Sequence, residues 1–415
     1  MSKVRLIVFA YHHNSSNIAS LRYRGLIKYL DKELFEVFVI SGYGDPEEKY
    51  ENRQYIYPVD GSPIGKSSTK YSIAVTTALV IVNKLPKFLK SKHGNSWAVK
   101  AVKVASKLVN ESKEKGQPCL VLGTYSPIDA LIAAKCISSK FSIPLIQDFR
   151  DGFAFEPLGR TGFFANRARL LIENSVCSSS NIILSATPSI NDYFSKKYGK
   201  SKAVLLMNGF DPDDQDSLDS SYMSQAKEML SDAIGSGRFL IGHFGRISMS
   251  DASRKKSLED LVEKVNDAPN SVKHTIFFLF MGQLNSDEEE VLKKLDVPYR
   301  IFAAQHRKIA LAAMSICDSF LLITGSGIGC VSGKIFEYMS FRKKIVHFSQ
   351  VRNDAFKILN NYRDSLQYIP DASSCNFNFE KIFEEKISYD ISISEFNREF
   401  QAKALKDVLL RLVAN

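Results

Sequence analysis

The stretch of sequence that decides the fold runs from Ser319 to Phe348 and reads SFLLITGSGIGCVSGKIFEYMSFRKKIVHF. Apolar residues dominate 319–323 and 344–348, which predicts two short, buried strands. Between them, a glycine-rich turn at 324–329 leads into a segment at 333–340 whose apolar spacing suits a helix. A strand, a helix and a second strand in this order form a β-α-β unit, and such units build parallel sheets that are covered by helices.

The same alternation of short apolar and longer amphipathic segments continues in both directions along the 415-residue chain. Before residue 212 the predicted strands are 4–11, 35–41, 120–123, 144–148, 181–185 and 203–207, and the predicted helices are 18–30, 127–140, 163–177 and 187–197. After it the predicted strands are 239–245, 275–281, 319–323 and 344–348, and the predicted helices are 257–267, 287–295, 307–315, 333–340 and 394–414.

An aspartate-rich stretch, Pro212–Ser221, predicts a linker between these two sets of elements. We therefore expect an α/β protein of two Rossmann-like domains of similar size, with the first ending near residue 211. Open parallel sheets bind their ligands at the carboxyl ends of the strands, so the expected site is a cleft between the two domains.

The basic charge of the protein is confined to its N-terminal half. The whole chain carries a formal net charge of +10, with 45% hydrophobic and 24% charged residues, which is ordinary for globular proteins. Residues 1–200 hold 28 Lys and Arg against 16 Asp and Glu, whereas residues 201–415 hold 27 against 29. This asymmetry indicates that the two halves meet different partners.

The cysteine pattern and the hydropathy argue against several classes of protein. The 6 cysteines form no C-x-x-C pair, so neither a zinc site nor a disulfide framework is predicted, and we expect no bound metal. The longest later apolar stretch, Ala74–Val82, is far shorter than the roughly 20 residues that span a bilayer. We therefore expect a cytoplasmic protein, with peripheral attachment to the inner face of the membrane as a further expectation.

One region, residues 66–115, departs from the α/β pattern because it holds eleven lysines, no arginine and only two acids. Apolar residues, including Trp97, interleave with the lysines. One interpretation is a solvated helical face on which the lysine stems pack. The other is a surface that meets an anionic membrane or an anionic acceptor. Nucleic acid is not an expected partner, since no nucleic-acid-binding motif is present.

The predicted strand 144–148 is followed by a cluster of charges that includes Arg150 and Asp151. Charged side chains at the carboxyl edge of a parallel sheet face the ligand site in such folds. Arg150 and Asp151 are therefore candidates for a role in the reaction, and a structural ion pair is the alternative.

Three basic residues follow the first strand of the second domain. Arg246 comes directly after Gly245, and Lys255 and Lys256 precede the next predicted helix. Arginine and lysine side chains from neighbouring loops can bind a diphosphate, with arginine giving planar, bidentate contacts. The alternative for the two lysines is a basic surface turn.

The glycine-rich turn of the opening stretch is a second candidate for binding phosphate. Gly325, Ser326 and Gly327 would let the main chain approach a ligand closely, and successive N–H groups can bind an anion. Lys334 and Glu337 follow at positions i and i+3, so they share one face at the start of a helix. A lysine there can reach a phosphate while the glutamate accepts hydrogen bonds from sugar hydroxyls; the alternative is a surface ion pair.

These motifs together resemble the retaining GT-B glycosyltransferases of the group 1, family 4 type. The stretch Gly333–Val346 is similar to the family's segment G-K-x-x-E-Y-x-a-x-x-K-P-I/V, with Lys344 where proline is usual. Ser185-Ala-Thr-Pro-Ser189 and Asn208-Gly-Phe-Asp211 resemble the end of the family's first domain and the entry into its second. Gly245-Arg246 with Lys256 resembles its phosphate clamp. The resemblance covers nearly the whole chain.

The resemblance implies a nucleotide-sugar donor, UDP- or GDP-linked, as substrate in a second domain at 212–393, an acceptor on a first domain at 1–211, and no obligatory cofactor or metal. It also implies that a final helix at 394–415 packs back on the first domain. The donor-binding residues would be Arg246, Lys255, Lys256, Gly325, Ser326, Gly327, Lys334 and Glu337. The residues acting in the reaction would be Arg150, Asp151, Arg246 and Lys256.

The sequence departs from the family pattern at two places. Gly329 lies where the family's E-x7-E motif has its first glutamate, so only the second, Glu337, is present. Arg150 and Asp151 lie where many members have a His-Asp pair. The first departure leaves the donor sugar open, and the second leaves no histidine to which a role could be transferred.

The function that we expect from the sequence is transfer of a sugar, with retention, to a glycan acceptor. A lipid-linked acceptor in the synthesis of a bacterial-type cell-surface polysaccharide or lipopolysaccharide is favoured, and a protein acceptor is an alternative. Two further alternatives keep the fold and change the activity: a nucleotide-sugar epimerase, which needs no acceptor, and a non-catalytic partner in glycan assembly.

Overall fold

A computed structural model describes residues 2–15, 19–44, 50–51, 54–61, 63, 97–156, 162–248, 251–329, 331–362, 364–371, 377–384 and 393–414. It divides into two compact units. The first contains Met1–Asn208 and Arg398–Asn415, and the second contains Gly209–Asn397.

The first unit is built on an eight-stranded sheet within its described residues, in the order β3-β4-β2-β1-β5-β6-β7-β8. All neighbouring strands are parallel except β3, which is antiparallel to β4. The strands are β1 Val4–Phe9, β2 Phe35–Ser41, β3 Tyr50–Glu51, β4 Gln54–Pro58, β5 Cys119–Tyr125, β6 Leu145–Phe149, β7 Ile182–Ser185 and β8 Ala203–Leu205. The helices are α1 Ala19–Tyr29, α2 Trp97–Glu114, α3 Ile128–Phe141, α4 Phe163–Ser178, α5 Pro188–Tyr198 and, after the second unit, α15 Arg398–Ala414.

Helices cover both faces of this first sheet, as the alternation of its side chains requires. In β1, Leu6 and Val8 belong to a core that also contains α1 and the C-terminal helix α15, whose Leu405 and Leu409 are fully buried. Ile7 and Phe9 point to the opposite face and pack with α2 and α3. Burial on both faces explains why β1 reads as a continuous apolar run.

The second unit has a six-stranded, wholly parallel sheet within its described residues, in the order β11-β10-β9-β12-β13-β14. The strands are β9 Phe239–Phe244, β10 Ile276–Met281, β11 Tyr299–Phe302, β12 Ser319–Ile323, β13 Ile345–Phe348 and β14 Ser365–Tyr368. The helices are α6 Asp213–Asp216, α7 Ser220–Met229, α8 Ser231–Gly235, α9 Arg254–Asn266, α10 Asn270–Thr275, α11 Ser286–Leu292, α12 Arg307–Ile316, α13 Lys334–Ser340 and α14 Asp354–Tyr362, with 3-10 turns at Phe379–Ile382 and Ser394–Phe396.

The two sheets confirm the predicted class of fold, two Rossmann-like α/β domains, and each predicted strand is found within two residues of its expected bounds. Four edge strands were not predicted: β3 and β4 at one edge of the first sheet, and β11 and β14 at the two edges of the second. Edge strands are partly exposed, and the residues of β11 are all intermediate or exposed, so they carry little of the apolar pattern that predicts a buried strand.

The predicted linker at 212–221 begins shortly after the boundary between the two units at Asn208, and part of it is helical. Its aspartates serve helix starts: Asp213, Asp214 and Asp216 lie in the single-turn helix α6, and Asp219 caps α7 by accepting a hydrogen bond from the Tyr222 N–H at 3.0 Å. Carboxylates are favoured at the start of a helix, where backbone N–H groups are unpaired.

Candidate functional site

The candidate site lies at the carboxyl end of β9, where the chain turns at Gly245. This residue has a φ of +125°, a conformation that favours glycine, and its N–H donates to the carbonyl of Met281 at 2.8 Å. Its own carbonyl oxygen lies only 2.2 Å from where a Cβ on Gly282 would be, so two glycines allow the ends of β9 and β10 to pack closely. The next residue, Arg246, is exposed and forms no ion pair with any residue that the structure describes.

Helix α13 is fixed against this strand end and brings Lys334 over it. The hydroxyl of the fully buried Tyr338 accepts a hydrogen bond from the Phe244 N–H at 2.9 Å, and its ring stacks on Phe320 at 4.5 Å between centroids. The Cε of Lys334 lies 3.7 Å from where a Cβ on Gly245 would be. Lys334 therefore passes over the backbone immediately before Arg246.

Glu337, one turn further along α13, is held between two cations. Its Oε2 accepts a hydrogen bond from Lys334 Nζ at 2.8 Å, and its Oε1 accepts one from Arg307 Nη1 at 2.6 Å. Burial alone would raise the pKa of Glu337, but the charges of Lys334 and Arg307 outweigh it and lower the pKa from 4.5 to about 2. Glu337 is therefore a fully ionised, buried acceptor at neutral pH.

Arg307 was not among the residues expected from the sequence. It is the first residue of α12, and its second nitrogen, Nη2, donates to Asp214 of α6, so its guanidinium bridges two carboxylates. A cation at the start of a helix opposes the helix dipole. That conflict was the one signal available in the sequence, because local pattern alone could not place Arg307 beside Glu337, 30 residues away.

The glycine-rich turn is packed against the loop that precedes α9. A Cβ on Gly325 would lie 2.1 Å from both Asp251 Oδ2 and Ser253 Oγ, so only glycine fits there without a shift of these atoms. The N–H of Ser326 donates to Ser253 Oγ at 2.7 Å, so one amide of the predicted anion-binding turn already has a partner. Gly327 is half-buried, and the side chain of Ser326 is exposed.

A buried polar network supports the start of this turn. Thr324 Oγ1 lies 2.8 Å from His347 Nε2 and accepts a hydrogen bond from Asn353 Nδ2 at 3.0 Å. The Thr324 carbonyl accepts one from Ser257 Oγ at 2.7 Å. Burial lowers the pKa of His347 to about 4, so this network is uncharged at neutral pH.

Three basic residues at the start of α9, Arg254, Lys255 and Lys256, differ in burial and in their partners. The ammonium groups of Lys255 and Lys256 pair with Asp287 at 3.2 Å and Asp260 at 3.2 Å, and the Lys256 side chain is 58% exposed. The hydrogen bond and charge of Asp260 raise the pKa of Lys256. Arg254 is the buried member and lies close enough to His243, together with Lys334, to lower its pKa; burial is the larger cause of that shift to about 4.

In the first unit, Arg150 and Asp151 lie directly after β6, as expected, and form an ion pair with each other, Nε to Oδ2 at 3.1 Å. Their side chains are 19% and 30% exposed. The loop behind them is anchored by Glu173 of α4, which accepts a hydrogen bond from the Ala154 N–H at 3.1 Å. The ion-pair alternative is thus present in the geometry, and the partial exposure leaves the carboxylate of Asp151 accessible.

A second ion pair near this strand end was missed by the sequence reasoning. Arg22 of α1 binds Asp148, the residue before the end of β6, with two hydrogen bonds at 2.7 and 3.2 Å, and both side chains are buried. Arg22 also donates to the carbonyl of Leu206 at 2.7 Å and to Asn208 Oδ1 at 3.0 Å. Arg22 therefore links α1 to β6 and to the segment at 206–208 by hydrogen bonds, which is a structural role.

Most of the lysine-rich segment, residues 66–96, lies outside the described residues, and only its last part is seen, in α2. There Lys103, Lys107 and Lys113 are exposed, whereas Trp97 is fully buried, with edge-on ring contacts to Phe9 at 6.4 Å and Tyr11 at 5.3 Å. The tryptophan belongs to the core of the first unit. It is therefore not part of an exposed apolar and basic surface.

Within the described residues, no three His, Cys, Asp or Glu side chains are grouped as a metal ion would require. The helices of that same part of the chain include none with the length and apolar character needed to cross a bilayer.

Comparison with known proteins supports the fold alone. No protein-family profile matches the sequence, and no curated protein sequence matches it at a significant level. Among solved structures, a glycosyltransferase from Rickettsia africae is similar with a TM-score of 0.61 and 13% identity, over 100% of both chains. Sucrose-phosphate synthase from Thermosynechococcus elongatus has a TM-score of 0.64 and 13% identity, over 99% of this chain and 100% of that one. Anabaena HepE, solved in complex with UDP and glucose, has a TM-score of 0.54 and 14% identity, over 99% and 100%. The chain therefore has the two-domain fold of the GT-B glycosyltransferases.

Proposed function

We propose that the protein is a glycosyltransferase that moves a sugar from a nucleotide-sugar donor to a glycan acceptor. The observation that carries this proposal is the convergence of Lys334, Glu337 and the Gly245–Arg246 turn at the carboxyl end of β9. Cations beside a buried, ionised carboxylate complement a nucleotide sugar: the cations can bind its diphosphate, and the carboxylate can accept hydrogen bonds from neighbouring sugar hydroxyls.

The second unit would bind the donor. Arg246 is exposed and free of ion pairs to described residues, so it can bind a phosphate without breaking an existing contact. Lys334 is paired with Glu337 and would exchange this partner for the diphosphate. Gly325 and Gly327 would let the turn approach the ligand, although the Ser326 amide is already engaged. Lys255 and Lys256 would contribute at longer range, since each is paired with an aspartate.

Stabilisation of the leaving group would be the main source of catalysis. Cleavage of the anomeric bond places charge on the departing diphosphate, and preformed cations stabilise such charge without reorganisation. Asp151 would orient the acceptor hydroxyl or accept its proton, with Arg150 holding the carboxylate in place. We propose retention of the anomeric configuration, as in the family that the sequence resembles, and we assign no nucleophile.

The donor that we propose is a UDP- or GDP-sugar, and the acceptor is a lipid-linked glycan reached from the cytoplasmic face of the membrane. The basic excess of the N-terminal half supports an anionic partner for the first unit. Within α2 the exposed lysines are consistent with this, but the buried Trp97 makes the attraction electrostatic rather than one of aromatic insertion.

The experiment that tests the proposed function is a thermal-shift screen of UDP, GDP and their sugar conjugates, followed by product analysis. A ligand that binds the native state raises the melting temperature by mass action. Donor consumed only in the presence of a glycan acceptor supports a transferase. Conversion of the donor sugar without acceptor would instead identify an epimerase, and binding without any turnover would favour a non-catalytic partner.

A further inference from the structure

The two cations that hold Glu337 differ in how easily they can leave it. Lys334 Nζ has Glu337 as its one ion-pair partner among the described residues, and its side chain is 24% exposed. Arg307 binds two carboxylates, those of Glu337 and Asp214, through different nitrogens of its planar guanidinium. The four residues form a chain of alternating charge, Asp214–Arg307–Glu337–Lys334.

Breaking this chain at its two ends has unequal consequences. If Lys334 turns away to a bound phosphate, Glu337 keeps Arg307 as a partner at 2.6 Å. If Arg307 left instead, Glu337 would keep Lys334, but Asp214, whose side chain is only 24% exposed, would lose the one ion-pair partner that it has among the described residues. A partly buried carboxylate that loses its partner destabilises the fold. Exchange of partners is therefore favoured at the Lys334 end and opposed at the Arg307 end.

The position of Arg307 in helix α12 also indicates that the role of this arginine is to bind the carboxylates of Asp214 and Glu337. As the first residue of α12 it opposes that helix's dipole, so helix stability does not explain an arginine there. Asp214 in turn belongs to α6, a helix of only four residues in the segment that joins the two sets of elements. Three separate elements thus meet at one guanidinium.

We propose that Arg307 is a positioning residue for recognition of the ribose of a nucleoside diphosphate. It would hold Oε1 of Glu337 in place while Oε2 passes from Lys334 to a ribose hydroxyl, as the diphosphate draws Lys334 away. This inference rests on the proposed function, because it requires a nucleotide donor in the second unit.

The competing role for Arg307 is direct contact with the phosphates, and two variants separate the roles by charge. Arg307→Gln removes a positive charge from the site, whereas Asp214→Asn removes a negative one. If Arg307 contacts the phosphates directly, affinity for pyrophosphate should follow the charge of the site: it should fall in Arg307→Gln and stay equal or rise in Asp214→Asn. A positioning role predicts that both variants lose discrimination between ribose and deoxyribose.

The test measures binding of UDP, GDP, their 2′-deoxy and 3′-deoxy counterparts, and pyrophosphate, by calorimetry on the full chain. In the wild-type protein, loss of a hydroxyl that donates to the ionised Glu337 should weaken binding about tenfold or more. In Arg307→Gln and Asp214→Asn this ratio should fall towards one, despite their opposite charge changes. Discrimination that is absent in the wild type, or unchanged in both variants, overturns the inference.

Failure of the proposed function gives a different result. If neither diphosphate nor pyrophosphate binds the wild-type protein, the donor site itself is wrong and the inference falls with it. Arg307→Lys provides a second variant if the glutamine variant does not fold: it keeps the charge but cannot bridge two carboxylates through a planar fork, so discrimination should still fall. The matched control is Arg300→Gln, which breaks the exposed Arg300–Asp232 pair of the same unit and should leave every affinity unchanged.

Discussion

Substitution of Lys334 by alanine should lower the affinity for the nucleotide donor more than it lowers the free energy of unfolding. The variant loses a charge-assisted contact to the donor diphosphate, worth about 1.5–3 kcal/mol, which corresponds to roughly 10- to 150-fold weaker binding of UDP or GDP. Its effect on folding is limited by the second partner of Glu337 and by the position of Lys334 in its helix. Glu337 keeps Arg307 at 2.6 Å, and removal of a cation from the first residue of α13 relieves an unfavourable helix-dipole interaction of about 0.3–1 kcal/mol.

Calorimetric titration with each nucleotide and denaturant unfolding would measure these two quantities on the same preparation. Lys293→Ala is the matched control, because Lys293 forms the same kind of i, i+3 pair with Glu290 on an exposed surface, and neither binding nor unfolding should change. Nucleotide affinity that stays within twofold of wild type would show that Lys334 does not bind the donor. A large loss of stability with unchanged affinity of the folded fraction would reduce Lys334 to a structural partner of Glu337.

Three further predictions concern the reaction, the response to acid and the membrane. Asp151→Asn should lower turnover strongly while the melting temperature and nucleotide affinity stay near wild type; a stability loss with normal turnover per folded molecule would make the Arg150–Asp151 pair structural. The folded-state pKa of Glu337, about 2 against an ordinary 4.5, stabilises the fold above pH 4.5, and this contribution is lost as the pH falls from 4.5 to 2; Glu337→Gln should flatten the acid limb of a plot of unfolding free energy against pH. Binding to anionic vesicles should be salt-sensitive, at roughly 1 kcal/mol per basic residue near the surface, and equal partitioning onto neutral vesicles would contradict it. Vesicle binding should weaken, and donor affinity should stay unchanged, when four lysines are neutralised: Lys84, Lys87, Lys90 and Lys92.

The parallel sheets could be predicted because their central strands are buried on both faces. Val4–Phe9 and Ser319–Ile323 are apolar at nearly every position, and a run of that kind leaves few alternatives. The edge strands β11 and β14 carry no such run, and most of their residues are half-buried or exposed. The apolar pattern therefore predicted the centre of each sheet but neither edge of the second sheet nor the β3–β4 edge of the first.

The candidate site was predictable only where its residues are near in sequence. Lys334 and Glu337 share one face of α13, as expected, because one helical turn separates them. Arg307 and Asp214 join them through tertiary packing, over 30 and 93 residues, and helical periodicity contains no trace of such contacts. For the same reason, local sequence selected Lys255 and Lys256, whereas the fold buries their neighbour Arg254.

Three buried groups of the second unit, His243, His347 and Glu337, keep a constant charge over the physiological pH range. His243 and His347 are both buried, with pKa values of about 4, and Glu337 is ionised from about pH 2 upwards. None of these three groups gains or loses a proton between pH 5 and pH 8. These three groups therefore contribute no change of rate with pH in that range. A pH profile of an active preparation between pH 5 and pH 8 would therefore report on groups other than His243, His347 and Glu337.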